Sequence, residues 1–179
     1  MEHVFAWLGD IFQRLIDLIP RLIVINSIEG GVAWVRGKPR PIRPGRLFLY
    51  WPFWTEICIL PVNRQTIDLR AQAYCTADDV PFLASGIVVY EIRDAMKAAL
   101  AAHDLDEAIR DLSMAALIRQ LRAKSWKDVY EQRLTIDESI RGELRRLLRD
   151  WGVDIRCFFL SDLAPCTVLH WSGKAAPTQ

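Results

Sequence analysis

"RQTIDLRAQAYCTADDVPFLASGIVVYEIRDA", Arg64 to Ala95, contains the change of period that decides the fold. Ile67, Leu69, Ala71 and Ala73 alternate with Thr66, Asp68, Arg70 and Gln72. A period of two with one apolar side reads as a half-exposed antiparallel strand, and the first four residues form its inner face. Thr76 to Asp79, "TADD", is turn material. Val80 to Ile92 is apolar on nearly both faces, which predicts a central strand and makes the pair a long hairpin. At Asp94 the period becomes helical, and "DAMKAALAA" predicts a short helix.

Toward the C terminus, helices follow. Asp104 and Glu107 have capping-box spacing ahead of a helix that buries Leu105, Ile109, Leu112, Ala116 and Leu121. Ser125 is placed to cap a short turn or helix in "SWKDVYEQR". Thr135 and Glu138 repeat the capping-box spacing for a helix that buries Ile136, Ile140, Leu144, Leu147 and Trp151 and stops at Gly152. "VDIRCFFLSDLAP" is a closing strand. Toward the N terminus, "RLIVINSIEGGVAWVRGKPR" reads as strands punctuated by Gly30-Gly31, Pro44-Gly45 suits a type II turn, and "EICILPV" is a short buried strand. Strands first, helices next and one strand returning define an α+β domain with an antiparallel sheet.

Composition narrows the function. The 179 residues allow one domain of about 150 residues with an appendage. A net charge of +1 gives no electrostatic case for a nucleic-acid partner. Cys58, Cys75, Cys157 and Cys166 are scattered beside apolar runs, and His3, His103 and His170 are the only histidines, so no zinc-ligand cluster is expected and the cysteines read as free thiols. "EGGVAWVRGK" lacks the ending of a phosphate loop and opens no helix. No nucleophile elbow or paired-carboxylate motif occurs, so the expectation is a non-enzyme without cofactor or metal. Arg141, Arg145, Arg146 and Arg149 read as a solvated helix face.

"VFAWLGDIFQRLIDLIPRLIVI" near the start is neither a secretory signal nor a span, because Asp10, Arg14, Asp17 and Arg21 interrupt it. Those charges share one helical face. Val4, Leu8, Ile11, Leu15 and Leu18 form an apolar row, Phe5, Phe12, Ile16 and Ile19 form the row beside it, and Trp7 sits at the border. An amphipathic helix closed by Pro20 results, which can dock on protein or lie in a membrane interface. The balanced polar face promises little attraction to anionic lipid. A second aromatic concentration lies in "PGRLFLYWPFWTEI", where alternation turns Leu47 and Leu49 toward the core with Ile57 and leaves Tyr50, Trp51, Phe53 and Trp54 in a loop around Pro52.

These segments, in this order, resemble the stomatin/prohibitin/flotillin family, also called the SPFH or band-seven domain. "IEGGVAWVRGKPRPIRPG" is similar to the family's opening strand pair and P-G turn, and Pro52-Phe53 match its P-F. Thr76, Asp78, Tyr90, Ile92 and Asp94 match the T-x-D turn and Y-x-I-x-D strand end, and Trp151, Gly152, Asp162 and Pro165 match the closing W-G strand and D-x-x-P. The resemblance implies a membrane-associated oligomeric scaffold that organises a membrane patch and localises or restrains partners such as a membrane-bound protease or channel. Partners would be lipid and further copies of itself or a paralogue. The expected organisation is an amphipathic anchor over residues 1–21, an SPFH-like domain over 22–168 and a flexible tail over 169–179. The anchor is expected to be monotopic, with the domain on the cytoplasmic side. The expected lipid contacts are Val4, Phe5, Trp7, Leu8, Ile11, Phe12, Leu15, Ile16 and Ile19, together with Tyr50, Trp51, Phe53 and Trp54. Family members continue into a long coiled coil where this sequence has a short tail, so a short form is expected. The alternative is a soluble ring or assembly subunit, for example of a phage or other large particle, whose amphipathic helix packs on neighbouring copies.

Overall fold

The computed structural model describes residues 19–166. The amphipathic stretch up to Leu18 and the tail over 169–179 lie outside the described residues. Eight strands and four helices run in the order β1 (Arg21–Val24), β2 (Glu29–Val35), β3 (Lys38–Ile42), β4 (Leu47–Tyr50), β5 (Thr55–Pro61), β6 (Arg64–Cys75), β7 (Pro81–Ile92), α1 (Ala95–Ala101), α2 (Leu105–Arg122), α3 (Trp126–Glu131), α4 (Arg133–Leu147) and β8 (Val153–Pro165). All strand pairs are antiparallel. β1 and β4 make a two-stranded ribbon, β3-β2-β5 a small sheet, and β6-β7-β8 the main sheet. Strands, then helices, then a returning strand is the α+β order expected from the sequence.

Two cores of unequal size result. The main sheet and the helices enclose Phe82, Val88, Tyr90, Ile109, Leu117, Ile140, Leu144 and Ile155 among others. The first five strands close around only Ile25, Ala33 and Ile42, with Ile23, Val35, Phe48, Ile57 and Ile59 packed against them.

β7 is central, as its apolar faces predicted, and its Ser85 meets a bulge on both sides. Leu69 pairs with Gly86 and Gln72 with Ala84, so Arg70 and Ala71 together oppose Ser85. On the other side Leu160 pairs with Gly86 and Leu163 with Ala84, so Ser161 and Asp162 oppose it too. The first bulge corrects the reading of β6. An extra residue reverses the inward parity. Ile67 and Leu69 are buried before it, but Ala71 and Ala73 are exposed after it, and Tyr74 takes the inner face.

Helix starts follow the caps in three of four cases. Asp94 accepts the N–H groups of Met96 and Lys97, Asp104 that of Glu107, and Ser125 that of Asp128. The expected box of Thr135 and Glu138 does not form, because α4 already begins at Arg133 behind an uncapped Gln132. In α4 the buried row advances by four residues through Ile136, Ile140, Leu144 and Leu148. Leu147, expected inside, is therefore 44% exposed.

α4 also covers the outer edge of β8, where unpaired backbone groups would otherwise invite a foreign strand. The Arg133 guanidinium donates to the carbonyls of Leu160 and Ser161, Arg145 Nε donates to the Ile155 carbonyl at 2.9 Å, and Asp137 Oδ1 accepts the Leu160 N–H at 3.1 Å. Asp137 is buried, and burial holds its carboxyl above the usual range against the opposing pull of the Leu160 N–H and Arg133. The folded chain thus keeps this proton longer than the unfolded chain. That contribution to stability is full below the ordinary carboxylate pKa and declines as pH rises through the folded value. Asp137→Asn keeps an acceptor for Leu160 and carries no charge. In urea titrations its stability relative to the native chain is expected to improve as pH rises. A pH-independent difference would refute the assignment.

Candidate membrane-contact surface

The exposed apolar surface is built by β1 and β4. Gly45, at φ +69°, makes the left-handed turn ahead of β4. The ribbon's register then pairs Arg21 with Tyr50, Leu22 with Leu49, Ile23 with Phe48 and Val24 with Leu47. Ile19 and Pro20 therefore lead into the ribbon at the same end where Trp51 and Pro52 leave it.

This register corrects the sequence reading of Leu47 and Leu49. Both were expected inside, and both are exposed, at 64% and 56%. Phe48 takes the inner face instead, against the small core with Ile23. Ile57 lies on the core side as expected. A strand has only two faces, so seating the Phe48 ring inward turns both leucines out. Their partners Leu22 and Val24 are exposed as well. The four form an outward ladder that was not anticipated, although the alternation in "RLIV" and "RLFLY" carried the signal.

The loop Trp51–Trp54 is a compact aromatic turn. The Trp54 and Thr55 N–H groups donate to the Trp51 carbonyl at 3.3 and 3.0 Å. The Phe53 ring meets Trp54 edge-on at 5.4 Å, Trp51 and Trp54 lie 6.5 Å apart, and Tyr50 stacks on Phe48 at 6.4 Å. The Arg36 guanidinium sits 5.4 Å over the Trp54 ring, a contact that sequence separation hid. Phe53 is 72% exposed, Trp51 and Trp54 are exposed on about two fifths of their surface, and Tyr50 is half-buried. Ile19 is exposed. Val4, Phe5, Trp7, Leu8, Ile11, Phe12, Leu15 and Ile16 lie outside the described residues.

Among the described residues, nine of the fourteen exposed large hydrophobic side chains fall between Ile19 and Trp54, which localises their apolar surface to the strand-rich half. No helix among the described residues is long and apolar enough to cross a membrane.

One polar cluster needs a separate account. Ser85 Oγ donates to Asp162 Oδ2 at 2.6 Å, lies 2.6 Å from Ser161 Oγ, and accepts the Asp162 N–H at 3.2 Å. With its proton on Asp162, Ser85 must accept from Ser161. Its donor and both lone pairs are then used. It satisfies the Asp162 N–H at the β8 bulge, and its hydrogen-bond partners are Ser161 and Asp162, with no imidazole among them. Among the described residues no group of three or more histidine, cysteine or acidic side chains is arranged to hold a metal.

A small strand-rich module carrying an exposed apolar face, joined to a helix-backed sheet with a returning strand, defines a bipartite α+β domain. The SPFH domain / Band 7 family matches residues 23–169, and the chain belongs to that family. It is 23% identical to an uncharacterised protein of Methanocaldococcus jannaschii over 92% of this chain and 82% of that protein. Identity is 20% to a stomatin homologue of Pyrococcus horikoshii, over 83% of this chain and 56% of that protein. Identity to mouse stomatin is 24%, over 67% of this chain and 42% of that protein. The chain thus spans about half the length of the stomatin relatives it matches.

Proposed function

We propose that the protein is a membrane-associated oligomeric scaffold, which organises a membrane patch and localises or restrains partner membrane proteins such as a membrane-bound protease. Family membership supports the scaffold role. Lipid contact is supported by the exposed rings of Trp51, Phe53 and Trp54, which lie at the end of the ribbon where Arg21 pairs with Tyr50. In this reading Val4–Ile19 lies in the plane of the interface with its apolar rows immersed, and the aromatic loop sits at headgroup depth, where amphipathic rings are favoured.

The test is co-flotation with liposomes, paired with light scattering in mild detergent. Ile11→Asp combined with Leu15→Asp is expected to abolish flotation. Each charge placed at the apolar face costs on the order of 2 kcal/mol or more. The particle mass is expected to exceed that of a single chain. Unchanged flotation would remove the helix as anchor. Failure of the native chain to float, with a large particle retained, would establish the soluble assembly subunit instead.

A further inference from the structure

We infer that the outward face of the β1–β4 ribbon is a docking surface for anionic phospholipid, with its basic rim selecting the headgroup charge. The inference rests on the membrane reading above and names the lipid class that this reading leaves open.

The ladder is a closed quadrilateral. Leu22 and Leu49 are direct cross-strand partners, as are Val24 and Leu47, so all four side chains share one face. Each is more than half exposed. An apolar face of this kind on the surface of a folded domain marks an interaction surface.

Charge identifies what covers it. The chain as a whole carries only +1, and that even balance conceals a strong asymmetry. Between Ile19 and Val62 the charged residues are Arg21, Arg36, Lys38, Arg40, Arg43 and Arg46 against Glu29 and Glu56, an excess of four positive charges. The remainder of the chain is therefore net negative. All six cations are exposed. Arginines lead into both strands of the ladder, Arg21 before Leu22 and Arg46 before Leu47, and Arg43 stands across the Pro44-Gly45 turn. Arg43 and Arg46 form no ion pair among the described residues.

Aliphatic side chains flanked along the chain by exposed cations match a surface that is apolar in depth and anionic at its boundary. A second copy docking by the same face would bring two such excesses together and be repelled. A nucleic acid would satisfy the cations but not the four aliphatic side chains. The net charge of the chain is no guide here, because headgroups sense only charges within a Debye length of about 8 Å at physiological ionic strength.

The experiment floats the full chain with vesicles of phosphatidylcholine alone and of phosphatidylcholine doped with phosphatidylserine, at low and high salt. The native chain is expected to partition more strongly onto the anionic vesicles, with a preference that salt erodes. Each cation at such a surface changes partition by about fivefold. Arg43→Gln with Arg46→Gln is therefore expected to lower binding to anionic vesicles by roughly tenfold or more and to leave neutral vesicles unaffected. Leu47→Ser with Leu49→Ser is expected to weaken binding to both. All four positions are exposed, and circular dichroism is the check that the variants fold. Equal, salt-independent binding of the native chain to both vesicles overturns this inference and leaves the membrane reading standing. Binding to neither vesicle overturns both. If the leucine pair has no effect while the arginine pair does, the cations act without the ladder and the docking face is refuted.

Discussion

Gly31→Val is expected to release the β1–β5 module from its folded state while the main sheet stays intact. Gly31 sits in β2, paired with Ile59 of β5 on one side and Ile42 of β3 on the other. A Cβ placed there would lie 2.2 Å from the Cys58 carbonyl oxygen and 3.2 Å from the Ile59 Cα. Both are backbone atoms, so no rotamer change relieves the clash and β5 must move. Overpacking of this kind costs about 3 kcal/mol or more. The small core cluster has just three buried residues to set against it. The module has about 44 residues, a size at which a domain seldom folds unaided, so its stability is borrowed from contacts with its neighbour. The discriminating measurement is amide exchange read residue by residue. Ala33 and Ile57 are expected to lose protection, whereas Val88, in the larger core, keeps it. Vesicle flotation should fall in parallel, because the ribbon and the aromatic loop are presented by the module that melts. Uniform loss of protection across both sheets would show a single cooperative unit and would falsify the division into two cores.

The same division explains what the sequence made legible. The hairpin of β6 and β7 was readable because alternation up to the bulge coincides with burial, Asp104 and Ser125 announced two helices through their caps, and the change of period at Asp94 announced a third. Errors arose where one local choice fixes the parity of everything after it. The bulge opposite Ser85 inverted Ala71 and Ala73, and no residue type in β6 flags it, since the cause is the shared register of three strands. Leu47 and Leu49 were misplaced because hydrophobicity ranks leucine as inward without saying that Phe48 fills the same small core better. Leu147 and Leu148 differ by one step on the helix, and the four-residue advance from Leu144 settles which is buried. Of the candidate surface, the aromatic loop was visible as composition alone. Its place at the start of β1 depends on the Arg21–Tyr50 pairing, which only the assembled ribbon reveals. The basic excess was visible in principle, but averaging charge over the whole chain erased it.

Phe82→Ala is expected to cost about 3–5 kcal/mol, a large share of the roughly 5–15 kcal/mol that holds a domain together. Phe82 has no exposed surface and stands on the central strand. Its ring centre lies 5.9 Å from Tyr74 and 5.7 Å from Trp126, so it joins β6 to the start of α3. The Trp126 backbone N–H donates to the Asp78 carboxylate at 3.1 Å, which fixes the start of α3. Removing the ring leaves a void that two large, anchored neighbours cannot fill, which puts the expected loss toward the upper part of the range. Calorimetry should show a fall in Tm of roughly 10–15 °C. Phe82→Leu, which keeps most of the volume, should lose about 1–2 kcal/mol. The two variants also test where lipid contact resides. Phe82 belongs to the core remote from the ribbon, so below its Tm Phe82→Ala should float with anionic vesicles as well as the native chain does. Gly31→Val, of similar cost, should not. If folded Phe82→Ala loses flotation, the main sheet contributes to the contact, and the assignment of that surface to the strand-rich half fails.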